Sequence, residues 1–487
     1  MTYRRLRAQS LALLMLAFGA AGAARADDHD DRQRPDRPQL HSVRDDSGVL
    51  VTISSNGFID QRNPFFRELG SNGRSCVTCH QPQEGWTMTP KGLRQRFDRS
   101  DGTDPVFRPV DGANSPLADV STRHARESAY SMLLGKGLIR VGIGIPAAAE
   151  FELLAVDDPY HYASAGELSL FRRPLASTNL RFLSTVMWDG RETLRDAGSN
   201  LCLFNTTTCF ATMPADLADQ ANAATLGHAQ GQTPLTDAQR QAIVDFEIGL
   251  FTAQQQDDRA GRLSVEGANG GPRYLSGVPS YFGINDTVVG DYRSHAAFTP
   301  TAMSLYQGWQ SYLEDSRHAD PERRDRGVAV ARRAIARGEA LFNSKPIVIR
   351  DVKGLNDDLH APAILGTCTT CHNTPEAGDH SVPMPLDIGL TDASRRTPDM
   401  PLYTLRNKST GQVVQSTDPG RALITGKWND IGKFKGPTLR ALAPRAPYFH
   451  NGFAKDLNEV VNFYNTRFGI GFTDQEREDL VAFLKAL

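Results

Sequence analysis

The chain lacks a surplus of charge of either sign. Its 487 residues carry 54 Lys and Arg against 56 Asp and Glu, a formal net charge of −2. Without a basic field to hold a polyanion, nucleic acid is excluded as a partner. Long apolar runs are also missing: the stretch from Leu11 to Ala21 falls short of the ~20 residues a membrane helix needs, and no later stretch comes closer. Wholesale disorder is excluded by the 40% hydrophobic content, with 42 Gly and 28 Pro, a globular balance with room for two or three domains. Cysteine is scarce, six in all, so the place of each one carries information.

Residues 1–26 read as a secretory signal peptide. Arg4, Arg5 and Arg7 open it, the short apolar run follows, and Ala24-Arg25-Ala26 resembles a cleavage site. The pair Arg4-Arg5 admits the twin-arginine route as an alternative to general export. Loss of this segment removes four Arg and no acid, taking the formal charge to −6. The expected setting is the periplasm, with no membrane span. Residues 27–45 are expected to be a flexible leader.

Four cysteines fall in two copies of one motif, Cys76-Val77-Thr78-Cys79-His80 and Cys368-Thr369-Thr370-Cys371-His372. The C-x-x-C-H spacing is that of covalent c-type haem attachment: two thiols about one turn apart reach the vinyl groups of one porphyrin edge, and the adjacent imidazole meets the iron. The rival reading is a pair of zinc or redox C-x-x-C sites. Cys202 and Cys209 remain, and in an exported protein they are expected to close a short disulfide loop.

A duplicated pattern accompanies the motifs. Thr236-Asp237 and Thr473-Asp474 each supply an N-cap and an acidic first turn. Ile243, Phe246 and Leu250, like Leu480, Phe483 and Leu487, mark one apolar helical face. Leu180-Arg181-Phe182-Leu183 answers Leu439-Arg440-Ala441-Leu442, and Trp188-Asp189-Gly190 answers His450-Asn451-Gly452. The expected fold is mainly α, two cytochrome c-like haem domains with long loops and few short strands, over residues 46–325 and 326–487. The second opens on a helix around Gly327 to Phe342, and Gly261 to Pro300 reads as connecting loop.

Met187-Trp188-Asp189-Gly190-Arg191, Phe434-Lys435-Gly436-Pro437-Thr438-Leu439-Arg440 and Ala446-Pro447-Tyr448-Phe449-His450-Asn451-Gly452 together resemble the bacterial di-haem cytochrome c peroxidase and MauG superfamily. The resemblance implies an N-terminal haem on His80 that meets hydrogen peroxide and a C-terminal haem on His372 that stores or relays electrons. It also implies a calcium ion at the domain interface and pairing into homodimers. Where the peroxidases carry a methionine ligand to the second haem, this chain has Tyr464. A phenolate there is similar to MauG and favours ferric and high-valent iron. Tyr464 also fits the buried face Leu457, Val460, Val461, Tyr464 of an ordinary helix, and Met384, Met400 and His380 are competing ligands. His450 is expected to support the second haem without ligating it.

Where the family carries a glutamine and a proton-shuttling glutamate beside the first haem, Gln220 and His228 stand in similar places, with no acid between them. His228 reads as an acid–base catalyst, with an iron ligand and a structural histidine as the alternatives. No histidine lies between His80 and His124, where peroxidases of this group carry a displaceable one. The first haem is therefore expected to be open unless Met88 or His228 closes it. Trp188 aligns with the tryptophan between the family's two haems and reads as an electron relay, or as a core indole. The expected activity is peroxide reduction to water, with oxidising equivalents shared between two irons and electrons from a small soluble cytochrome c or cupredoxin. The rivals are MauG-like oxidation of a Trp or Tyr in a partner protein, and a non-enzymatic di-haem electron carrier.

Overall fold

Each half ends in a helix whose start is written in four residues. Thr236 and Thr473 accept the backbone N–H of Gln239 and Glu476, whose side chains return the bond to the threonine N–H. These capping boxes open the helices Asp237–Ile248 and Asp474–Lys485, as the duplicated pattern leads one to expect. The computed structural model describes residues 40–193, 206–313 and 323–487. The signal segment, most of the leader and the expected Cys202–Cys209 bridge lie outside the described residues or side chains.

The helix Arg323–Ser344 exceeds the expected Gly327 to Phe342 at both ends and packs on the closing helix Asp474–Lys485. A Cβ at Gly338 would stand 2.0 Å from the Asp479 carbonyl oxygen, so only glycine permits this approach. Ile335, Ala336, Phe342, Leu480, Phe483 and Leu484 fill the contact. In the first half the helix Thr206–Gly227 packs on Asp237–Ile248, and Ala221, Ile243 and Phe246 join Phe65 and Trp86 in a core.

Strands are more numerous than the sequence led us to expect. Among the described residues there are eleven, in four small sheets paired antiparallel throughout. His41–Arg44, inside the segment read as a flexible leader, is a strand laid against Gly48–Ser54, which pairs in turn with Leu250–Asp257. Leu250, read as the last turn of a helix, thus begins a strand. Gly261 to Pro300 is largely turns, with the short helix Pro272–Ser276. Phe151–Asp157 pairs with Leu402–Asn407, Phe151 opposite Asn407, a sheet built from both sides of residue 325.

Candidate functional site

Both C-x-x-C-H motifs fold into the same tight turn, for a reason visible in their third residues. Thr78 Oγ1 accepts the Ser75 N–H at 2.9 Å, and Thr370 Oγ1 accepts the Thr367 N–H at 3.0 Å. The histidine N–H then closes the turn on the first cysteine carbonyl, His80 on Cys76 at 3.0 Å and His372 on Cys368 at 3.1 Å. All four cysteines are free of disulfides. Burial pushes the thiols of Cys76, Cys368 and Cys371 up to about 12, which keeps them as neutral S–H groups, unlike the low-pKa thiolate of a redox pair.

Each turn opens on its own large cavity. The first is lined by Cys76, Cys79 and His80, together with Gln220, His228 and Trp188. The second is lined by Cys368, Cys371 and His372, together with Tyr464, His450 and Trp188. These eleven residues, each noted in the sequence, therefore line one cavity or the other. Trp188 and Lys435 line both.

The two histidines are held in the same way. His80 Nδ1 lies 3.1 Å from the Trp86 carbonyl oxygen and His372 Nδ1 lies 2.5 Å from that of Gly378, so Nδ1–H donates and Nε2 keeps its lone pair. Burial lowers both pKa values, His80 to about 4, so each imidazole is neutral at neutral pH. The walls also hold orphaned polar atoms: Glu247 Oε2 in the first cavity and His450 Nε2 in the second are buried without a hydrogen-bond partner among the described residues. A thiol pair, a neutral imidazole and a broad, mainly hydrocarbon wall fit a c-type haem in each cavity. A zinc ion is far smaller than either space, and among the described residues no three His, Cys, Asp or Glu side chains gather to hold a metal.

Tyr464 sits on the helix Leu457–Phe468, started by the Asp456 side chain accepting the Glu459 N–H at 2.9 Å. Its ring stacks on Phe468 with centroids 6.3 Å apart, and its hydroxyl has no hydrogen-bond partner among the described residues. Burial pushes that hydroxyl's pKa up. The competing ligands lie elsewhere. Met400 is packed with Met132, Leu138 and Phe171; His380 is buried with Nδ1 3.1 Å from Asn373 Oδ1; Met384 borders a separate small pocket. Met88, the residue that would close the first cavity, is instead core, packed with Leu93 and Phe97.

Gln220 lies on the helix Thr206–Gly227 and His228 directly follows its last residue, its N–H bonded to the Ala224 carbonyl at 2.9 Å, so that both reach the same cavity. The residue missed in the sequence is Asp111. Its Oδ2 lies 2.5 Å from His228 Nδ1, and its Oδ1 accepts Arg74 Nη1 at 2.6 Å. Burial alone would raise its pKa, but the His228 and Arg74 contacts outweigh it and hold the carboxyl below the usual range.

Trp188 is fixed from several sides. Its indole Nε1–H donates to the Arg173 carbonyl at 2.7 Å, its carbonyl accepts the Lys435 N–H at 2.9 Å, and its ring stands against His450. The next residue, Asp189, is fully buried between Arg172 at 2.5 Å and Arg191 at 3.0 Å, while Arg172 also holds Asp418 at 2.7 Å. Lys435 is the second shared wall residue, its Nζ donating to the Thr185 carbonyl at 2.8 Å.

No family model matches the chain. The cytochrome-c peroxidase IdrP1 of Pseudomonas sp. (strain SCT) is 28% identical over 237 residues, 44% of this chain and 54% of that protein. The cytochrome-c peroxidase IdrP2 of Denitromonas iodatirespirans is 33% identical over 132 residues, 25% of this chain and 36% of that one. The cytochrome c551 peroxidase of Pseudomonas aeruginosa is 34% identical over 121 residues, 25% of this chain and 30% of that one. The chain thus spans about half the length of the first of these relatives and less of the others. The crystal structure of a MauG-like protein associated with microbial copper homeostasis aligns over 88% of this chain and 86% of that chain, with 17% identity and a TM-score of 0.36.

Proposed function

The chain is similar to the bacterial di-haem cytochrome c peroxidase and MauG superfamily, and from that premise we propose that it is a periplasmic di-haem peroxidase reducing hydrogen peroxide to water. The observation that carries the reading is the pair of cavities, each opened by a cysteine pair and a neutral histidine, that share Trp188 as a common wall. Among the described residues no helix is long and apolar enough to cross a membrane.

Cys76, Cys79 and His80 would hold one haem, and Cys368, Cys371 and His372, with Tyr464, the other. When bound, the two haems supply the iron that takes peroxide and the redox centres that hold its oxidising equivalents. The chain's own residues do the rest. His228 would move a proton at Nε2 and Gln220 would offer hydrogen bonds to the peroxide. The indole of Trp188 shortens the path between the cavities. Tyr464 caps the second cavity, so that attack and charge storage occur at separate centres. Peroxide, two protons and two electrons give two waters, the electrons coming from a small soluble cytochrome c or cupredoxin.

Tyr464 in place of methionine favours a second reading, oxidation of a Trp or Tyr in a partner protein. Stopped-flow peroxide consumption with a reduced cytochrome c decides between them. Rapid steady turnover supports the reductase. A single oxidation that persists until a protein substrate is added supports the modifier and overturns the reductase.

A further inference from the structure

We propose that Asp111, held by Arg74, is the positioning residue of the first cavity: it fixes the His228 imidazole with Nδ1–H on its carboxylate, leaving Nε2 for the bound substrate. This inference rests on the reading of His228 as the proton carrier, and it supplies the acid that the sequence between Gln220 and His228 lacks.

The carboxylate is built not to move. Arg74 gives Nη1 to Asp111 Oδ1 at 2.6 Å, Nη2 to the Val106 carbonyl at 2.8 Å and Nε to the Pro105 carbonyl at 2.7 Å. The Asp111 carbonyl accepts the Arg140 N–H at 2.7 Å. The His228 backbone is pinned from the same side, its carbonyl accepting Arg74 Nη1 at 3.0 Å and Asn72 Nδ2 at 2.8 Å.

Exposure separates a working imidazole from a structural one. The Arg74 and Asp111 side chains are 3% and 7% exposed, whereas that of His228 is 41% exposed and lines the cavity. A buried carboxylate behind an open imidazole fixes its tautomer and its orientation. His228 Nε2 would take one proton of hydrogen peroxide and return it to the oxygen that leaves as the first water, and the donor's two electrons with two further protons would reduce the other oxygen to the second. The other ionisable side chains lining the cavity are Cys76, Cys79, His80, Glu247, Arg67, Arg172, Arg173, Arg191 and Lys435.

Cyanide binding to the ferric holoenzyme tests this without turnover, because hydrogen cyanide must give its proton to a base as the anion binds. Asp111→Asn is expected to slow cyanide binding about tenfold and to shift its pH profile, because one adjacent charge is lost. His228→Gln should abolish that dependence on pH, and the double variant should match His228→Gln alone. Asp111→Glu should recover part of the profile. If Asp111→Asn does not accumulate, Arg74→Met with Asp111→Asn removes both buried charges together and is expected to give the same shift. An Asp111→Asn profile identical to wild type, where His228→Gln differs, overturns the positioning role. Identical profiles in both overturn it together with the acid–base reading of His228. A wild type that consumes no peroxide, yet shows the expected cyanide shifts, overturns the peroxidase reading and leaves the dyad standing.

Discussion

Trp188 and His450 stand edge to face, their ring centroids 6.1 Å apart and their planes at 63°. They occupy matching places in the duplicated pattern, each followed by an Asx-Gly pair. One backbone unit holds both, since the Arg173 N–H donates to the His450 carbonyl at 2.6 Å and its carbonyl accepts the Trp188 indole at 2.7 Å. The two landmarks of the repeat thus meet at the wall between the cavities. Phe434, stacked on His450 at 3.9 Å, continues the aromatic contact into the second cavity.

Replacing Trp188 by Phe keeps an aromatic wall but removes the indole N–H and its easily oxidised ring. We expect the ferric spectra of both haems to stay unchanged while the peroxide-induced change at the second haem slows at least about tenfold, ~1.4 kcal/mol in barrier. Stopped-flow spectroscopy after one equivalent of peroxide measures this. Equal rates in both proteins would reduce Trp188 to a core residue.

Tyr464 is the one candidate ligand of its group that reaches the second cavity. Tyr464→Met should change the ferric spectrum of the second haem and raise its reduction potential, because a thioether favours ferrous iron where a phenolate favours ferric. The first haem should keep its spectrum. Untouched signals at the second haem would return Tyr464 to the ordinary buried face of its helix.

The Asp189 carboxyl gives a pH prediction with a definite sign. Burial alone would raise its pKa, but Arg172 and Arg191 outweigh burial and hold it at about 2 against an ordinary 3.8. A depressed carboxyl contributes stability that is complete above about pH 4 and is lost as pH falls towards 2, about 2 kcal/mol in all. Asp189→Asn should therefore destabilise the protein at pH 7 by ~3 kcal/mol, since it leaves part of the Arg172 charge uncompensated, and should flatten the acid limb. Urea unfolding at a series of pH values measures both effects.

Haem content gives a count. Extraction as the pyridine complex should find two covalent haems per chain, and the Cys368→Ser, Cys371→Ser double variant should retain one attached haem. The remaining haem should still bind cyanide. Loss of both would show that the attachment sites are interdependent.

What the sequence made legible is local. The two haem motifs, both capping boxes and the helix carrying Tyr464 are each set by residues within a few positions of one another, and each folds as its own sequence dictates. Asp111 was hidden because it is 117 residues from His228 in the chain and sits among turns, where no periodicity marks a carboxylate. The Arg172–Asp418 pair, 246 residues apart, is hidden in the same way. The sheets were partly legible: Gly48-Val49-Leu50-Val51-Thr52-Ile53-Ser54 is a β-branched run that a strand reading would have caught. The pairing of Phe151–Asp157 with Leu402–Asn407 is fixed only once the chain between them has folded, so neither strand announces its partner.

The central claim is that the two cavities hold haems with unequal coordination, one face open above His80 and both faces filled at His372 and Tyr464. Low-temperature electron spin resonance of the ferric protein tests it most directly. The account predicts one high-spin and one low-spin haem in equal amounts, with cyanide converting only the high-spin signal. Two low-spin centres indifferent to cyanide, or two high-spin centres, would contradict it.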